Sequence, residues 1–486
     1  MKTNQGFLFK QAVNTILTNR TLREMAVKQI DKYLYKKTIQ MEGGQLRQEK
    51  EDKYLFLTSA MHQTVKNINK GFIKPSVIRK MTATLLGDNY TPDRHSNISQ
   101  VKKDYKEKYG DYPPSFLTLS PGKGCNLHCV GCYASSRSAI AEKLDFETSR
   151  KILRQAHDIF GSKFMVISGG EPFLYKSDGK DIFNLFEEFN DMFFLVYTNG
   201  TLITEAVAKK LAELGNVTPA ISVEGFEKET DERRGKGVYN LIMKAMENLQ
   251  TAGVLFGISV TATSKNFELL MQDEFYNHYF EKLGATYMWQ FQLMPIGRGK
   301  DVVDLMITPD QRVKLYKQWG HLLKDKKYPV ADFWNSGTLS SGCIAYGRWN
   351  GYFYIDWNGN IMPCVFVPYH VDNVIDLFNQ GKTIADALQS KMFNNGRKWQ
   401  KEYGFENKEH SGNVLMPCSI RDHYKNFKYN ILTQDAKGED AEAEAVLNDP
   451  GYEKIMTDFD DNLEKLTQQI FEERYLKELL TEQKVG

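Results

Sequence analysis

Residues 115–133 read SFLTLSPGKGCNLHCVGCY. A short apolar run, SFLTLS at 115–120, gives way at Pro121 to a loop that carries Cys125, Cys129 and Cys132 in the spacing C-x3-C-x2-C. The run has the length and composition of a buried strand. Three thiolates on one tight loop suit three irons of a cubane iron–sulfur cluster, whose fourth iron then takes a ligand from elsewhere. Zinc is the main rival, but zinc knuckles use C-x2-C pairs and four protein ligands. Here no fourth cysteine is near, and His128 falls inside the loop. Packing alone does not call for three cysteines in so short a stretch.

Downstream, similar apolar runs recur: FMVIS (164–168), FFLVY (193–197), AISV (220–223), FGISV (256–260) and YMWQFQL (287–293). Between them lie amphipathic stretches such as 146–160, 205–214 and 240–249, with apolar residues at helical spacing. Nearly continuous apolar strands separated by helices imply a parallel sheet covered on its outer face. Six such units predict an α/β fold, a partial (β/α)6 barrel, whose ligands sit at the C-terminal ends of the strands. The alternation is expected to stop near residue 310. Asn358-Gly359, between 352–357 and 360–363, predicts a two-residue hairpin and opens a smaller α+β unit.

Upstream, 7–40 reads as a basic amphipathic helix built on Phe9, Val13, Ile16, Leu17, Met25, Ile30 and Leu34. A loop is expected at 41–55, a second helix at about 57–87, and a polar boundary at 88–112. Residues 435–449 read as an acidic, mobile linker before a last helix at 452–480. The expected units are therefore a helical, basic region (1–112), a barrel core (113–325), a small α+β domain (326–430) and an acidic linker with a C-terminal helix (431–486).

The 486 residues, 41% apolar and 26% charged, are those of a globular chain. No apolar run is long enough for a membrane span, and Met1–Phe9 lacks the core of a secretory signal, so a cytoplasmic location is expected. Six cysteines without an export signal point to metal or redox chemistry rather than disulfides. Net charge is only +2, but residues 1–110 hold 21 Lys and Arg against 10 Asp and Glu, while 431–486 hold 6 against 15. Either the two ends pack on each other or are solvated, or the basic helix at 7–40 touches an anionic surface, peripherally at the inner membrane face. No aromatic-interleaved basic patch points to nucleic acid.

The cysteine loop, with Tyr133 after it, resembles that of the radical S-adenosylmethionine (radical SAM) superfamily. Further elements agree in order: Gly169-Gly170-Glu171-Pro172 after the second run, Thr198-Asn199-Gly200 after the third, and Ser222 to Gly225 with Asp231 to Gly237 after the fourth. Pro295 to Arg298 follows the sixth. The resemblance spans about 113–310. It implies a [4Fe–4S] cluster on Cys125, Cys129 and Cys132, S-adenosylmethionine chelating the open iron, and a 5′-deoxyadenosyl radical that abstracts hydrogen from a substrate. A reductant such as flavodoxin or ferredoxin is implied as partner. It places Gly169, Gly170, Glu171 and Pro172 by the methionine amino group, where glycines permit close approach. Ser222 and Glu224 face ribose or carboxylate, and Arg234 faces the carboxylate, with Arg233 as competitor. Asn199 and Tyr133 complete the implied cofactor site. Family members often place an aromatic residue before the third cysteine; here that residue is Gly131.

Cys343, Cys364 and Cys418 resemble the auxiliary-cluster extension of that superfamily, the SPASM or shorter Twitch module. A full SPASM module has seven cysteines. Three imply one auxiliary [4Fe–4S] cluster, its fourth position open or filled by Asp422, His423 or His370. The implied function is a radical SAM enzyme acting on an unidentified substrate, a lipid or other amphiphile. The alternatives are a maturase of a peptide or of a cofactor or tetrapyrrole precursor, a non-catalytic electron-transfer protein, or a zinc-binding structural protein.

Overall fold

The computed structural model describes residues 15–40, 46–86, 92–405 and 412–477. Phe9, Val13, residues 41–45 of the expected loop and 478–480 of the expected last helix lie outside the described residues.

The six expected strands form: β1 (Thr118–Leu119), β2 (Phe164–Ile167), β3 (Phe193–Thr198), β4 (Val217–Val223), β5 (Gly257–Ala262) and β6 (Met288–Gln292). They pair in chain order and all in parallel. Burial is nearly continuous along β3, β4 and β5, as expected where helices cover the outside, and alternates along β6. The helix Phe146–Phe160 shows how each is laid down. The Asp145 carboxylate accepts the Thr148 N–H as N-cap, Gly161 ends the helix at φ 64°, and Phe146, Ile152, Leu153, Ala156 and Phe160 are buried against the sheet.

The alternation runs one unit further than the sequence implied. Helix Pro309–His321 leads to β7 (Val330–Asp332), which pairs in parallel with β6. On the other edge, β8 (Tyr354–Ile355) joins β1 in parallel, followed by antiparallel β9 (Asn360–Met362) and β10 (Asp372–Asn373). The sheet order is β10-β9-β8-β1-β2-β3-β4-β5-β6-β7. Segments 113–325 and 326–430 thus share one sheet. The β8–β9 hairpin has three loop residues rather than two. Asp356 and Asn360 pair across it, and Gly359 at φ 85° forms the bulge residue. The Asp356 carboxylate accepts the Asn358 and Asn360 N–H groups, which favours the longer turn.

The helices that precede the barrel include α1 (Arg20–Thr38), α2 (Arg47–Asn69) and α3 (Pro75–Leu86). The expected loop at 47–55 is helical instead. The Glu49 carboxylate accepts the Leu46 N–H, a signal overlooked because Leu46 is no ordinary N-cap residue. The polar stretch 88–112 likewise holds a helix, Pro92–Tyr109. α2 closes the lower end of the barrel, where the Asn67 amide donates to the Gly284 carbonyl at 2.7 Å. The two charged ends of the chain do meet: Arg474 and Tyr475 both reach the buried Asp52. The acidic stretch 435–449 is ordered, with Lys437–Gly438 pairing to Tyr369–His370 and a helix at Ala441–Leu447. The charges that suggested a mobile linker cap that helix: the Asp440 side chain accepts two of its N–H groups.

Candidate active site

The loop after β1 lies across the loop after β2, joined backbone to backbone, and meets the loop after β3 through the Asn126, Asn199 and Thr201 side chains. The Gly170 N–H donates to the Gly122 carbonyl and the Glu171 N–H to that of Gly124, at 3.0 and 2.9 Å. A Cβ on Gly170 would sit 2.1 Å from the Gly124 oxygen, and one on Gly169 2.5 Å from that of Gly122. The glycine pair therefore admits the cysteine loop. Both glycines also border the cavity, the side from which a methionine amino group is expected to approach them. Glu171 is buried and knits the same loops together, accepting from Thr198 Oγ1, Asn199 N and Phe173 N. Burial nevertheless pushes its carboxyl up to about 7.

A cavity of about 1040 Å³ runs along the inside of the sheet. Cys125, Cys129 and Cys132 line it, as do Tyr133, Gly169, Gly170, Asn199, Ser222 and Arg234. Glu171, Pro172 and Glu224 stand behind its wall. Glu224, 1% exposed, ion-pairs through Oε1 with both Arg233 and Arg234 and leaves Oε2 without a partner. The two arginines proposed as competitors thus share one carboxylate and both face the cavity. Ser222 Oγ meets Ser259 Oγ at 3.2 Å, and Tyr133 Oη meets Ser168 Oγ at 2.8 Å.

The residues present fit a cysteine-ligated cluster. Burial pushes the Cys125 thiol up to about 12 and raises Cys129, while Arg234 and Arg233 pull Cys129 the other way. Donors face the sulfurs: Leu127 N at 3.4 Å and Asn199 Nδ2 at 3.7 Å from Cys125, and Arg234 Nη1 at 4.0 Å from Cys129. Such donors favour thiolate and tune a bound cluster. Thiolates that each take a different cubane corner need not converge on one point, and among the described residues no set of three Cys, His, Asp or Glu does. Gly131 has φ 66°, and a Cβ there would meet Leu293 Cδ1 at 2.8 Å. The space an aromatic residue would need is filled from β6.

The six cysteines are all free. Cys343, Cys364 and Cys418 lie behind the cavity wall, near enough that each would hinder ionisation of another. Tyr352 Oη lies 2.9 Å from Cys364 Sγ, and Phe366 N donates to the same sulfur at 3.4 Å. Asp422 is not free to act as a fourth ligand. It is fully buried, bound to Arg312 through both oxygens, and accepts the Cys418 N–H. His423 Nε2 meets the Met416 carbonyl at 2.9 Å, its ring packed on Tyr403 and Trp399. His370 pairs with Lys437 in the small sheet.

Sequence reading passed over Arg298 as a site residue. Its guanidinium holds the carbonyls of Cys129 and Ser136, and Gly297 before it packs on the Tyr133 carbonyl. It also passed over the aromatic wall of Phe116, Phe164, Tyr197, Trp289 and Phe291. Alternation along each run, with Phe164, Val166 and Ser168 all on the cavity, was the available signal.

An open parallel α/β barrel with three cysteines on the loop after its first strand defines an enzyme that works with S-adenosylmethionine on an iron–sulfur cluster. Residues 119–264 match the radical SAM superfamily, and the chain belongs to it. The mycofactocin maturase MftC of Mycolicibacterium smegmatis is 31% identical over 284 residues, covering 56% of this chain and 68% of that one. The Fe-coproporphyrin III synthase of Methanosarcina barkeri is 30% identical over 247 residues, 48% of this chain and 57% of that enzyme, so only a little over half of that relative is spanned. Among solved structures, SuiB of Streptococcus suis shares the fold, with a TM-score of 0.50 at 17% identity over 75% of this chain and 89% of that one. The protein is thus a radical SAM enzyme, and its family uses a [4Fe–4S] cluster and S-adenosylmethionine. No helix among the described residues is long and apolar enough to cross a membrane.

Proposed function

We propose that Cys125, Cys129 and Cys132 hold the working [4Fe–4S] cluster and that the substrate of hydrogen abstraction lies in the cavity they face. One observation carries this reading: the three thiols, the Gly169-Gly170 loop, Asn199 and Arg234 all border one chamber. With S-adenosylmethionine bound, the cluster supplies the electron that releases a 5′-deoxyadenosyl radical. The chain's own part is positional. Asn199 and Arg234 donate toward sulfur, and Arg233 and Arg234 stand ready for a carboxylate on the cavity side. The aromatic walls keep water from the substrate. Cys343, Cys364 and Cys418 form the site of one auxiliary cluster of the SPASM or Twitch kind. They are walled off from the chamber, which suits electron transfer rather than substrate ligation.

The substrate is an amphiphile whose apolar body lies along the aromatic wall. α1 supports this reading, because Met25, Ile30 and Tyr33 are exposed on the face that also carries Lys32, Lys36 and Lys37, a surface suited to an anionic membrane. Similarity to a mycofactocin maturase and to an Fe-coproporphyrin III synthase favours a second reading, maturation of a peptide or of a tetrapyrrole. Anaerobically reconstituted protein is expected to bind about eight irons and, once reduced, to convert S-adenosylmethionine to 5′-deoxyadenosine. A protein that binds neither iron nor S-adenosylmethionine would overturn the proposal.

A further inference from the structure

The cavity has two chemically different ends. One is the cysteine rim. At the other, Lys37 of α1, Lys50 and Lys53 of α2 and Arg348 line the wall. Arg348 is fixed in place: its guanidinium donates to the carbonyls of Cys343, Trp349 and Ser340. Burial lowers the Lys53 pKa, the Glu49 carboxylate opposes that, and the Arg348 charge adds a smaller lowering, which places all three groups close together. Burial pushes Glu49, beside Lys53, up to about 7, and Asp52 is engaged by Arg474 and Tyr475.

The position of this basic end follows from β1. The Ser115 N–H donates to the Gly351 carbonyl at 2.9 Å, and the Phe116 ring stacks on Tyr352 at 5.3 Å. The segment carrying Arg348 therefore lies at the N-terminal end of β1, whereas the cysteines follow its C-terminal end. Phe116 to Ser120 spans about 13 Å at roughly 3.3 Å per residue. Between the two ends the wall is aromatic: Phe116, Phe164, Tyr197, Trp289, Phe291 and Phe366.

Building on the reading of this cavity as the substrate chamber, we infer that the enzyme selects an anionic amphiphile. Its carboxylate or phosphate seats among Lys37, Lys50, Lys53 and Arg348, and its apolar body spans the aromatic wall, so that the hydrogen removed lies at the opposite end of the cavity from the charge. Lysines act as point charges and accept either anion. The aromatic side chains of the span supply apolar burial for such a body. Charge and reacting carbon are thus held at a fixed separation, and the basic end sets which carbon is presented.

Anaerobic calorimetry on the reconstituted full-length protein tests this, with decanoate, decyl phosphate, decylammonium and decanol, each below its micellar concentration. At least one of the two anions is expected to bind tenfold or more tightly than decylammonium and decanol, and which anion wins assigns the head group. Lys37→Glu/Lys53→Glu is expected to remove that preference. Lys209→Glu/Lys465→Glu, which changes net charge equally at exposed positions elsewhere, should keep it. Lys37→Ala/Lys53→Ala serves if the first variant does not fold. Equal binding of cation and anion, no binding of any probe, or the same loss in the Lys209/Lys465 variant would overturn the inference. S-adenosylmethionine binding on the same preparation separates the two claims: if it is intact while the anion preference is absent, only this inference falls.

Discussion

The two cysteine groups are built in opposite ways. Cys125, Cys129 and Cys132 stand on one loop that opens onto a cavity. Their placement depends on backbone contact, with glycines on the facing loop so that two main chains can touch. Cys343, Cys364 and Cys418 come from three separate segments and face the protein. Their placement depends on side chains: Tyr352 on Cys364, and the Arg312–Asp422 pair beside Cys418. An open cluster needs one solvent-side face and little else near it. A closed one needs neighbours on every side, and those neighbours come from distant sequence.

The sharpest way to break that contrast is to remove one thiol from each group. Cys129→Ala is expected to abolish 5′-deoxyadenosine formation and S-adenosylmethionine binding. Cys364→Ala should lose the auxiliary iron, about half the total, yet still bind S-adenosylmethionine. If both variants lose S-adenosylmethionine binding alike, the two groups are not separate in function. Gly170→Ala tests the backbone side of the comparison. Its Cβ would meet main-chain oxygens of Gly124 and Lys123 at 2.1 and 2.4 Å, atoms that cannot swing aside. It should cost about 3 kcal/mol and deplete iron from the first group alone, measured by metal content and melting temperature.

How legible each region was in the sequence follows from the same difference. C-x3-C-x2-C, GGEP and TNG are local patterns on loops after strands, and the six strands behind them emerge where the apolar runs stand. The packing role of Gly169 and Gly170 was hidden, because a sequence does not say which backbone a glycine admits. Asp422 stayed open as a candidate ligand for a related reason. Its distance from Cys418 mimics a ligand spacing, while the partner that occupies it, Arg312, lies 110 residues upstream. The charged linker at 435–449 failed because capping carboxylates and solvated ones have the same composition. Non-local pairing, whether of β7 with β6 or of Asp52 with Arg474, leaves no local mark.

Asp422→Ala turns the Arg312 pairing into a measurement. Removing one partner of a buried pair strands Arg312 in the interior, at a cost of about 3–5 kcal/mol. A lower melting temperature with full iron content is expected when the variant is reconstituted cold. Selective loss of auxiliary iron at unchanged stability would instead restore Asp422 as a ligand.

The smallest expected effect concerns a partly buried carboxyl behind the first loop. Burial, helped by Asp356 and Asp440, pushes Glu439 up to about 8 against the opposing pull of Lys123. An unfolded glutamate releases its proton near pH 4.5, so between there and pH 8 the folded chain holds a proton that the unfolded chain does not. Stability then falls with rising pH across that window. Glu171, raised to about 7, acts in the same direction on the other side of the loop, so the wild-type melting temperature should decline from pH 5 to pH 8. Glu439→Gln keeps the shape and removes the titration. It should match the wild type at pH 5 and melt higher at pH 8, with the slope flattened rather than abolished because Glu171 still titrates. An unchanged slope would mean that Glu439 stays ionised in the folded chain, held by Lys123, and that the first loop rests on an ion pair as the second group does.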